Sequence, residues 1–216
     1  MDNVNITNLN LDFIPEDNYN KISYHSWFPT VIGVVDCPFY EEVKDEFIKA
    51  FNITENEDKG LIYEPIHHIK EPFIFQKYTK WVEQQVNIYT KFHKFTCKYT
   101  TSQSWLIDYA KYRYNPWHKH NGSTISTVFF LLTDKEDSHT QFRSNSYGDM
   151  RNPIRSEVIN SENSQLYNTI TAPTCTYAPI PGRLLIFRSD IEHMADYKNK
   201  NKRVIISQNF VENDKP

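Results

Sequence analysis

Three histidines are spaced so that they could bind one metal ion. His118 and His120 stand two positions apart between two predicted strands, and residues two apart in an extended segment project their side chains to the same face. A third ligand must come from another strand, and His193 is the natural candidate because it follows the apolar segment 183–187 directly. Imidazole is a common ligand of transition metals, so these residues together predict a metal site. The HxH pair alone would equally fit two histidines on a surface turn.

Arg203 is placed to bind a carboxylate on the same side of the predicted sheet. It lies ten positions after His193 and opens a predicted strand, 203–211. Counting by two along this strand, one face carries Arg203, Ile205, Ser207 and Asn209. A guanidinium with a hydroxyl behind it suits a buried carboxylate, because its planar fork donates two parallel hydrogen bonds. The alternative for Arg203 is an ion pair at the surface end of the strand.

Two helices are predicted ahead of the strands that carry these residues. Four aromatic and aliphatic residues after Pro38 recur at four-residue spacing, which predicts one face of a helix: Phe39, Val43, Phe47 and Phe51. Residues 72–93 form the clearest helix, because its apolar residues recur at three- and four-residue steps. They are Phe75, Tyr78, Trp81, Val82, Val86, Tyr89 and Phe92. We expect this stripe to pack on a sheet.

The rest of the chain is predicted to form strands. The β-branched and aromatic segments are 28–35, 105–114, 123–133, 183–187 after a Pro181-Gly182 turn, and 203–211. Residues 134–178 are polar and rich in turn formers, so we expect a long insertion that carries substrate contacts. Helices first and strands afterwards predict an α+β fold, in which helices buttress one face of a β-sandwich or barrel.

Length and composition narrow the class of protein. The 216 residues fit a single domain, 1–216, with the helices in 1–96 and the sheet core in 97–216. A net charge of −3 disfavours nucleic acid as a partner. Residues 1–10 resemble no secretory signal, and no apolar run approaches the roughly 20 residues that cross a bilayer. We therefore expect a cytoplasmic protein that binds no membrane. None of the glycines lies in a dinucleotide or P-loop motif.

Four sequence blocks, in order along the chain, resemble a group of 2-oxoglutarate (2OG) and Fe(II)-dependent oxygenases common in bacteria, phages and marine viruses. The blocks are FPT at 28–30, WHKHNGSTIS at 117–126, PGRLLIFRSDIEH at 181–193 and RVIISQNF at 203–210. The resemblance implies a double-stranded β-helix core, the jelly-roll of the cupins, buttressed by the N-terminal helices. A viral source would place the protein in the host cytoplasm.

The resemblance also implies the cofactors and the site. Fe(II) is expected on His118, His120 and His193, and 2-oxoglutarate on Arg203 with Ser207. Further contacts with this co-substrate are expected from Tyr109, Tyr112 and Asn209. Tyrosines on a strand also serve as packing residues, so that role stays open for the two tyrosines.

The second ligand position departs from the common pattern. Most of the superfamily binds iron through two histidines and one carboxylate, whereas this chain has His120 at the position of the carboxylate. Asp190 or Asp137 could coordinate the ion instead, with His120 outside the coordination sphere. The spacing of arginine and serine also departs from the R-x-S arrangement of many relatives. Ser207 lies four positions after Arg203, which still places both on the same face of the strand.

The expected activity is hydroxylation with release of succinate and CO2. The substrate, a protein side chain or a small molecule, stays open, as does the oligomeric state. Two other functions fit part of the pattern. A three-histidine metal dioxygenase of the cupin type would use no 2-oxoglutarate and would leave Arg203 without a role. A non-catalytic β-sandwich binding module would bind no metal tightly.

Overall fold

The computed structural model describes residues 30–54, 60–62, 66, 73–109, 114–134, 136–145, 174–195 and 203–213, with the backbone alone for 60–62 and for Tyr109. Apart from Thr30, these residues belong to one compact unit, Val31–Pro216. The predicted strand residues 28 and 29, the candidate Tyr112 and most of the predicted insertion lie outside the described residues.

Both predicted helices are present. Helix α1 spans Tyr40–Ala50 and buries Val43 and Phe47, while α2 spans Phe73–Phe92 and buries almost all of its predicted stripe. The prediction was wrong for Phe92, which is 52% exposed and packs edge-on against the ring of His93 at the end of the helix. Neither helix in this part of the chain has the length and apolar character needed to cross a bilayer.

The strands of the described residues form two antiparallel sheets. In chain order they are β1 (Gly33–Asp36), β2 (Gly60–Ile62), β3 (Lys98–Tyr109), β4 (Asn115–His118), β5 (Ile125–Leu132), β6 (Thr140–Arg143), β7 (Thr174–Tyr177), β8 (Arg183–Arg188), β9 (Glu192–Ala195) and β10 (Arg203–Asn213). The larger sheet has the order β1-β8-β5-β10-β3-β2, and the smaller sheet has the order β4-β9-β6-β7. Between β4 and β10 the chain therefore passes repeatedly from one sheet to the other.

Three of the predicted strands agree with the structure, whereas others correct the prediction. Strands β5, β8 and β10 lie where they were expected. Strand β3 was predicted at 105–114 but begins at Lys98 and ends at Tyr109, because it pairs along its length with the long strand β10. The first strand begins at Gly33 and not within 28–32, as far as those residues are described. Residues 134–178 are not simply an insertion, because both ends pair with each other as β6 and β7. These strands have four residues each, too few for a periodic pattern to stand out.

The larger sheet separates two apolar layers. On one side α1 and α2 pack on the sheet, and the ring centroids of Tyr78 and Phe129 lie 5.1 Å apart there. On the other side the two sheets face each other. There the ring centroids of Phe142 in β6 and Phe187 in β8 lie 4.9 Å apart. Strand β10 contributes alternate residues to the two layers, Ile206 to the first and Ile205 to the second. The face predicted for Arg203 and Ser207 is thus the one between the sheets.

The turn before β8 depends on Gly182. Its φ of +80° is a left-handed conformation that costs any other L-residue energy, and an added Cβ would lie 2.8 Å from the Cγ of Tyr40. Tyr40 cannot easily move away, since its hydroxyl donates a hydrogen bond to the carbonyl of Leu131 at 3.0 Å. Gly122 has a similar φ of +86°, but a Cβ there would meet nothing within 4 Å.

Alanine substitutions at these two glycines distinguish the energetic cost of backbone strain from that of steric overlap. We expect Gly122→Ala to lower the free energy of unfolding by about 1–2 kcal/mol, the cost of a left-handed alanine. Gly182→Ala should cost about 1–3 kcal/mol more, because it also crowds the ring of Tyr40. Urea denaturation of both variants measures the difference, and equal losses would show that the ring moves without cost.

Candidate metal centre

His118 and His193 are brought together by backbone pairing. Strands β4 and β9 are antiparallel neighbours in the smaller sheet, and His118 lies directly opposite His193 in their register. The centroids of the two rings are 4.2 Å apart. His193 follows β8 in the chain but lies in a strand of its own, β9, and is only 4% exposed.

His120 reaches the same point from just beyond the end of β4. Its backbone N–H donates to the carbonyl of Ser189 at 3.0 Å, which fixes the chain beside the turn between β8 and β9. Its ring stacks on Trp105 of β3, with centroids 5.5 Å apart and planes inclined by 28°. Its Nε2 atom lies 3.2 Å from Nε2 of His193. Three imidazoles from two segments of the chain, 118–120 and β9, therefore converge.

The Nδ1 atoms of His118 and His193 are held by main-chain carbonyls. Nδ1 of His118 lies 2.7 Å from the carbonyl oxygen of Pro116, and Nδ1 of His193 lies 3.1 Å from that of Ile191. A carbonyl only accepts, so each Nδ1 carries the proton and donates it. Each Nε2 therefore presents a lone pair, that of His118 to the side-chain amide of Asn115 at 3.4 Å and that of His193 to Nε2 of His120 at 3.2 Å. This is the tautomer that outer hydrogen bonds impose on metal-bound histidine.

Burial keeps two of the rings neutral. Burial, together with a smaller contribution from the adjacent His118, lowers the pKa of His120 to about 4. Burial likewise lowers the pKa of His193 to about 3, with His118 again contributing. Because only the neutral imidazole can bind a metal ion, both rings are in the binding form at neutral pH.

The donor set fits a divalent transition metal. The ligand atoms of His118, His120 and His193 all lie within 4.8 Å of one another. Two nitrogens bound at right angles to one ion at about 2.1 Å would be about 3.0 Å apart, close to the 3.2 Å between the Nε2 atoms of His120 and His193. Imidazole ligands favour iron, zinc, copper and nickel over magnesium or calcium.

The two alternative carboxylates lie in other interactions. Asp190 accepts hydrogen bonds from the Arg188 guanidinium at 3.1 and 3.0 Å. Asp137 accepts one from the backbone N–H of Asp134 at 2.7 Å. Within the described residues the cluster that could hold an ion consists of the three histidines alone.

A cavity joins the histidines to Arg203. Arg203 is 1% exposed, and its guanidinium donates to the hydroxyls of Ser138 and Thr140 at 3.3 Å each. The same guanidinium lies over the ring of Phe130, 5.6 Å from its centroid. The cavity is lined by Trp105, Ile107, Asn115, His118, His120, Val128, Thr140, His193, Met194, Ala195, Arg203, Ile205 and Ser207. The imidazoles and a buried cation therefore line the same cavity.

The other residues predicted to contact the co-substrate do not all line this cavity. Ser207 lines the cavity. Asn209 is absent from the described lining, and its side chain contacts His120 instead. Tyr109 pairs with Arg203 through the backbone, while Tyr112 lies outside the described residues.

Sequence reasoning missed three residues of the site. The hydroxyls of Ser138 and Thr140 hold Arg203 from a segment predicted to be an insertion, and a short polar strand carries no signal for that contact. For Trp105, which stacks on His120, the sequence pattern indicated only that the residue lies in a strand. Trp117, which directly precedes His118, lies under the guanidinium of Arg143, and its ring centroid is 4.6 Å from the Cζ of that arginine.

Comparison with known proteins agrees with this geometry. Residues 103–209 match the profile of a family described as "Putative 2OG-Fe(II) oxygenase". These residues contain the three histidines, Arg203 and Ser207. The chain therefore belongs to the 2OG-Fe(II) oxygenase family, whose members use Fe(II) and 2-oxoglutarate. A comparison with curated proteins found no match.

Solved structures establish the fold. HygX from Streptomyces hygroscopicus, with nickel and 2-oxoglutarate bound, is 10% identical with a TM-score of 0.54, over 84% of this chain and 83% of that one. The viral collagen prolyl hydroxylase of Paramecium Bursaria Chlorella virus-1 is 13% identical with a TM-score of 0.55, over 85% and 96%. A prolyl-4-hydroxylase of Pseudomonas putida is 9% identical with a TM-score of 0.53, over 85% and 94%. The expected double-stranded β-helix core with N-terminal helices is confirmed.

The cluster predicts metal uptake that depends on His118. In an anaerobic titration with Fe(II), or with Co(II) as a probe, we expect His118→Ala to weaken binding by more than the 10- to 100-fold typical of an outer partner. His93→Gln is the matched control, because His93 bonds the carbonyl of Tyr89 at the end of α2 and lies outside the cluster. Equal affinity in wild type and His118→Ala would refute the site.

The same ion should stabilise the fold. Metal at about 100 times its dissociation constant adds about 2.7 kcal/mol to the free energy of unfolding when it binds the native state alone. We therefore expect added Co(II) to raise the Tm of the wild type and of His93→Gln, but not that of His118→Ala. Thermal denaturation followed by circular dichroism measures the shift.

Proposed function

We propose that the protein is an Fe(II)- and 2-oxoglutarate-dependent dioxygenase that hydroxylates a protein side chain or a small molecule. In this proposal His118, His120 and His193 hold the iron, and Arg203 binds the distal carboxylate of 2-oxoglutarate. One observation carries it: the described cavity has the converging imidazoles and a buried guanidinium in its walls. A metal dioxygenase that used no dicarboxylic acid would have no need of that cation beside its histidines.

The chain's own residues bind and orient. Iron and 2-oxoglutarate, once bound, supply the oxidative chemistry, in which dioxygen oxidises both the co-substrate, to succinate and CO2, and a C–H bond of the substrate. His118, His120 and His193 would hold the iron through three nitrogens and would leave room for the co-substrate and dioxygen, as non-haem iron oxygenases require. No side chain has to act as acid, base or nucleophile in this scheme.

Arg203 is oriented before any carboxylate arrives. The hydroxyls of Ser138 and Thr140 accept hydrogen bonds from its Nη1 and Nη2 nitrogens, and its Cζ lies over the ring of Phe130. A guanidinium has five N–H donors in a planar fork, whose geometry matches that of a carboxylate. Because the side chain is already ordered, a carboxylate binds it with little further loss of conformational entropy.

The apolar residues of the cavity strengthen this recognition. Ile107, Val128 and Ile205 line the space together with Arg203, and all three are at least nine-tenths buried. Charge–charge attraction grows as the effective dielectric constant falls, so a carboxylate displacing water from this space would be held more firmly than at the surface. Ser207 offers a hydroxyl on the same strand face.

Succinate formation tests the proposal directly. We expect the wild-type protein to convert 2-oxoglutarate to succinate when Fe(II) and dioxygen are present. Without the prime substrate this conversion is uncoupled from hydroxylation and should be slow. His118→Ala should abolish this conversion, while His93→Gln should not. Tight His118-dependent metal binding without any succinate would favour the three-histidine dioxygenase, and no metal binding at all would favour the binding module.

Arg203→Ala should separate co-substrate binding from metal binding. Hydrogen bonds to charged groups are worth about 1.5–3 kcal/mol, so we expect 2-oxoglutarate affinity to fall about 10- to 100-fold with metal affinity retained. Isothermal titration of the metal-loaded protein measures both constants.

The control for this variant is Arg183→Ala, which removes an arginine of β8 that pairs with Asp36 at 2.8 Å at the surface. It should leave both constants unchanged. If Arg203→Ala lost the metal and kept 2-oxoglutarate affinity, the role proposed for Arg203 would be wrong.

A further inference from the structure

Asn209 is the hub of a buried hydrogen-bond network beside His120. Its Nδ2 lies 3.2 Å from Nδ1 of His120 and donates to Oε1 of Gln103 at 3.0 Å. Its Oδ1 accepts from the hydroxyl of Ser126 at 2.8 Å, which in turn lies 2.8 Å from the hydroxyl of Ser189. Asn209 is 3% exposed and the two serines are 1% exposed. The side chain of Asn209 is thus linked by hydrogen bonds on both sides of its amide.

The orientation of this amide places the proton of His120. An amide nitrogen only donates, so Nδ1 of His120 must be the acceptor in this contact and its proton must sit on Nε2. That proton points at Nε2 of His193, 3.2 Å away. His193 can accept it, since its own proton is on Nδ1 and is given to the carbonyl of Ile191. The hydrogen bonds around His120 are thus mutually consistent.

A metal ion on Nε2 of His120 requires the opposite tautomer. The lone pair of Nε2 must then be free, and the proton must move to Nδ1. Nδ1–H needs an acceptor, whereas the amide nitrogen of Asn209 is a donor. Neither His118 nor His193 has this conflict, because main-chain carbonyls already accept from their Nδ1 atoms.

The network can reverse without losing a hydrogen bond. If the Asn209 amide turns over, Oδ1 faces His120 and Gln103, and Nδ2 faces Ser126. The hydroxyl of Ser126 both donates and accepts, so it can accept from Nδ2 and donate to Ser189. Gln103 is exposed and its amide can turn as well, which lets it donate to Oδ1.

We infer that Asn209 is a positioning residue whose amide turns over when a metal ion binds His120, so that its Oδ1 accepts the proton from Nδ1. The inference rests on the proposed function, because it takes His120 as a ligand. It also gives Asn209 a different role from the co-substrate contact that the sequence predicted. Asn209 sets the tautomer of the ligand that occupies the position of the usual carboxylate.

Nuclear magnetic resonance reads the tautomer directly. In full-length protein with ¹⁵N-labelled histidine, long-range ¹H–¹⁵N correlations distinguish a protonated ring nitrogen from a bare one, and diamagnetic Zn(II) serves as the metal probe. We expect the proton of His120 on Nε2 before zinc is added and on Nδ1 afterwards, with His118 and His193 protonated on Nδ1 throughout. An unchanged tautomer of His120 on zinc binding would overturn the inference.

Variants of Asn209 test the consequence for affinity. We expect Asn209→Ala to weaken Co(II) binding about 10- to 100-fold, as for other outer partners of metal-bound histidine. Asn209→Asp should bind at least as tightly as wild type, because a carboxylate accepts from Nδ1 without turning. Ser102→Ala is the matched control, since the Ser102 hydroxyl bonds the main-chain carbonyl of Asn209 and not its amide.

The outcomes separate this inference from the proposed function. If Asn209→Ala bound Co(II) as tightly as wild type while His118→Ala did not bind, Asn209 would have no positioning role and the metal site would stand. If Asn209→Asp lost affinity as Asn209→Ala does, the required role would be that of a donor, and the reversal would be wrong. If neither wild type nor any variant bound Co(II), the proposed function would fail as well.

Discussion

The register between β4 and β9 is the constraint on which the site depends. It sets His118 opposite His193, and on the other side of β9 the register with β6 sets Phe142 opposite the same histidine. A shift by one residue would turn His193 out of the space between the sheets, because alternate side chains of a strand face opposite ways. Apolar packing opposes such a shift: the ring of His193 lies 4.7 Å from that of Phe187 and 5.9 Å from that of Phe142. The core thus fixes the geometry of the histidines.

Strand β10 links this core to the polar chemistry. Its outer face packs Val204, Ile206 and Phe210 under the helices, while its inner face carries Arg203 at one end and Asn209 at the other. Burying a guanidinium or an amide is unfavourable unless hydrogen bonds replace those lost with water. Here residues from separate segments provide them, Ser138 and Thr140 to Arg203 and Ser126 to Asn209. The polar side chains therefore tie distant segments together.

Prediction from sequence succeeded where a pattern was long. Helix α2 and strands β5 and β10 have enough residues for periodicity to show, and the four blocks around His118 and Arg203 fixed the family. It failed for β4, β6, β7 and β9, which have four residues each. The contacts of Trp105, Thr140 and Asn209 were also out of reach, because each joins segments that only the folded chain brings together.

A third imidazole in place of a carboxylate changes the charge of the proposed site. A carboxylate ligand would cancel one of the two positive charges of Fe(II), whereas three neutral rings cancel none. The undiminished charge favours a dianionic co-substrate, and the buried Arg203 adds to that attraction. The attraction of the protein for the ion itself is correspondingly smaller. In the proposed site, affinity would then depend on ligands held in place beforehand, by the carbonyls of Pro116 and Ile191 and, as we infer, by the amide of Asn209. In a site of this composition, the hydrogen bonds around the ligands matter more than the charge of the ligands.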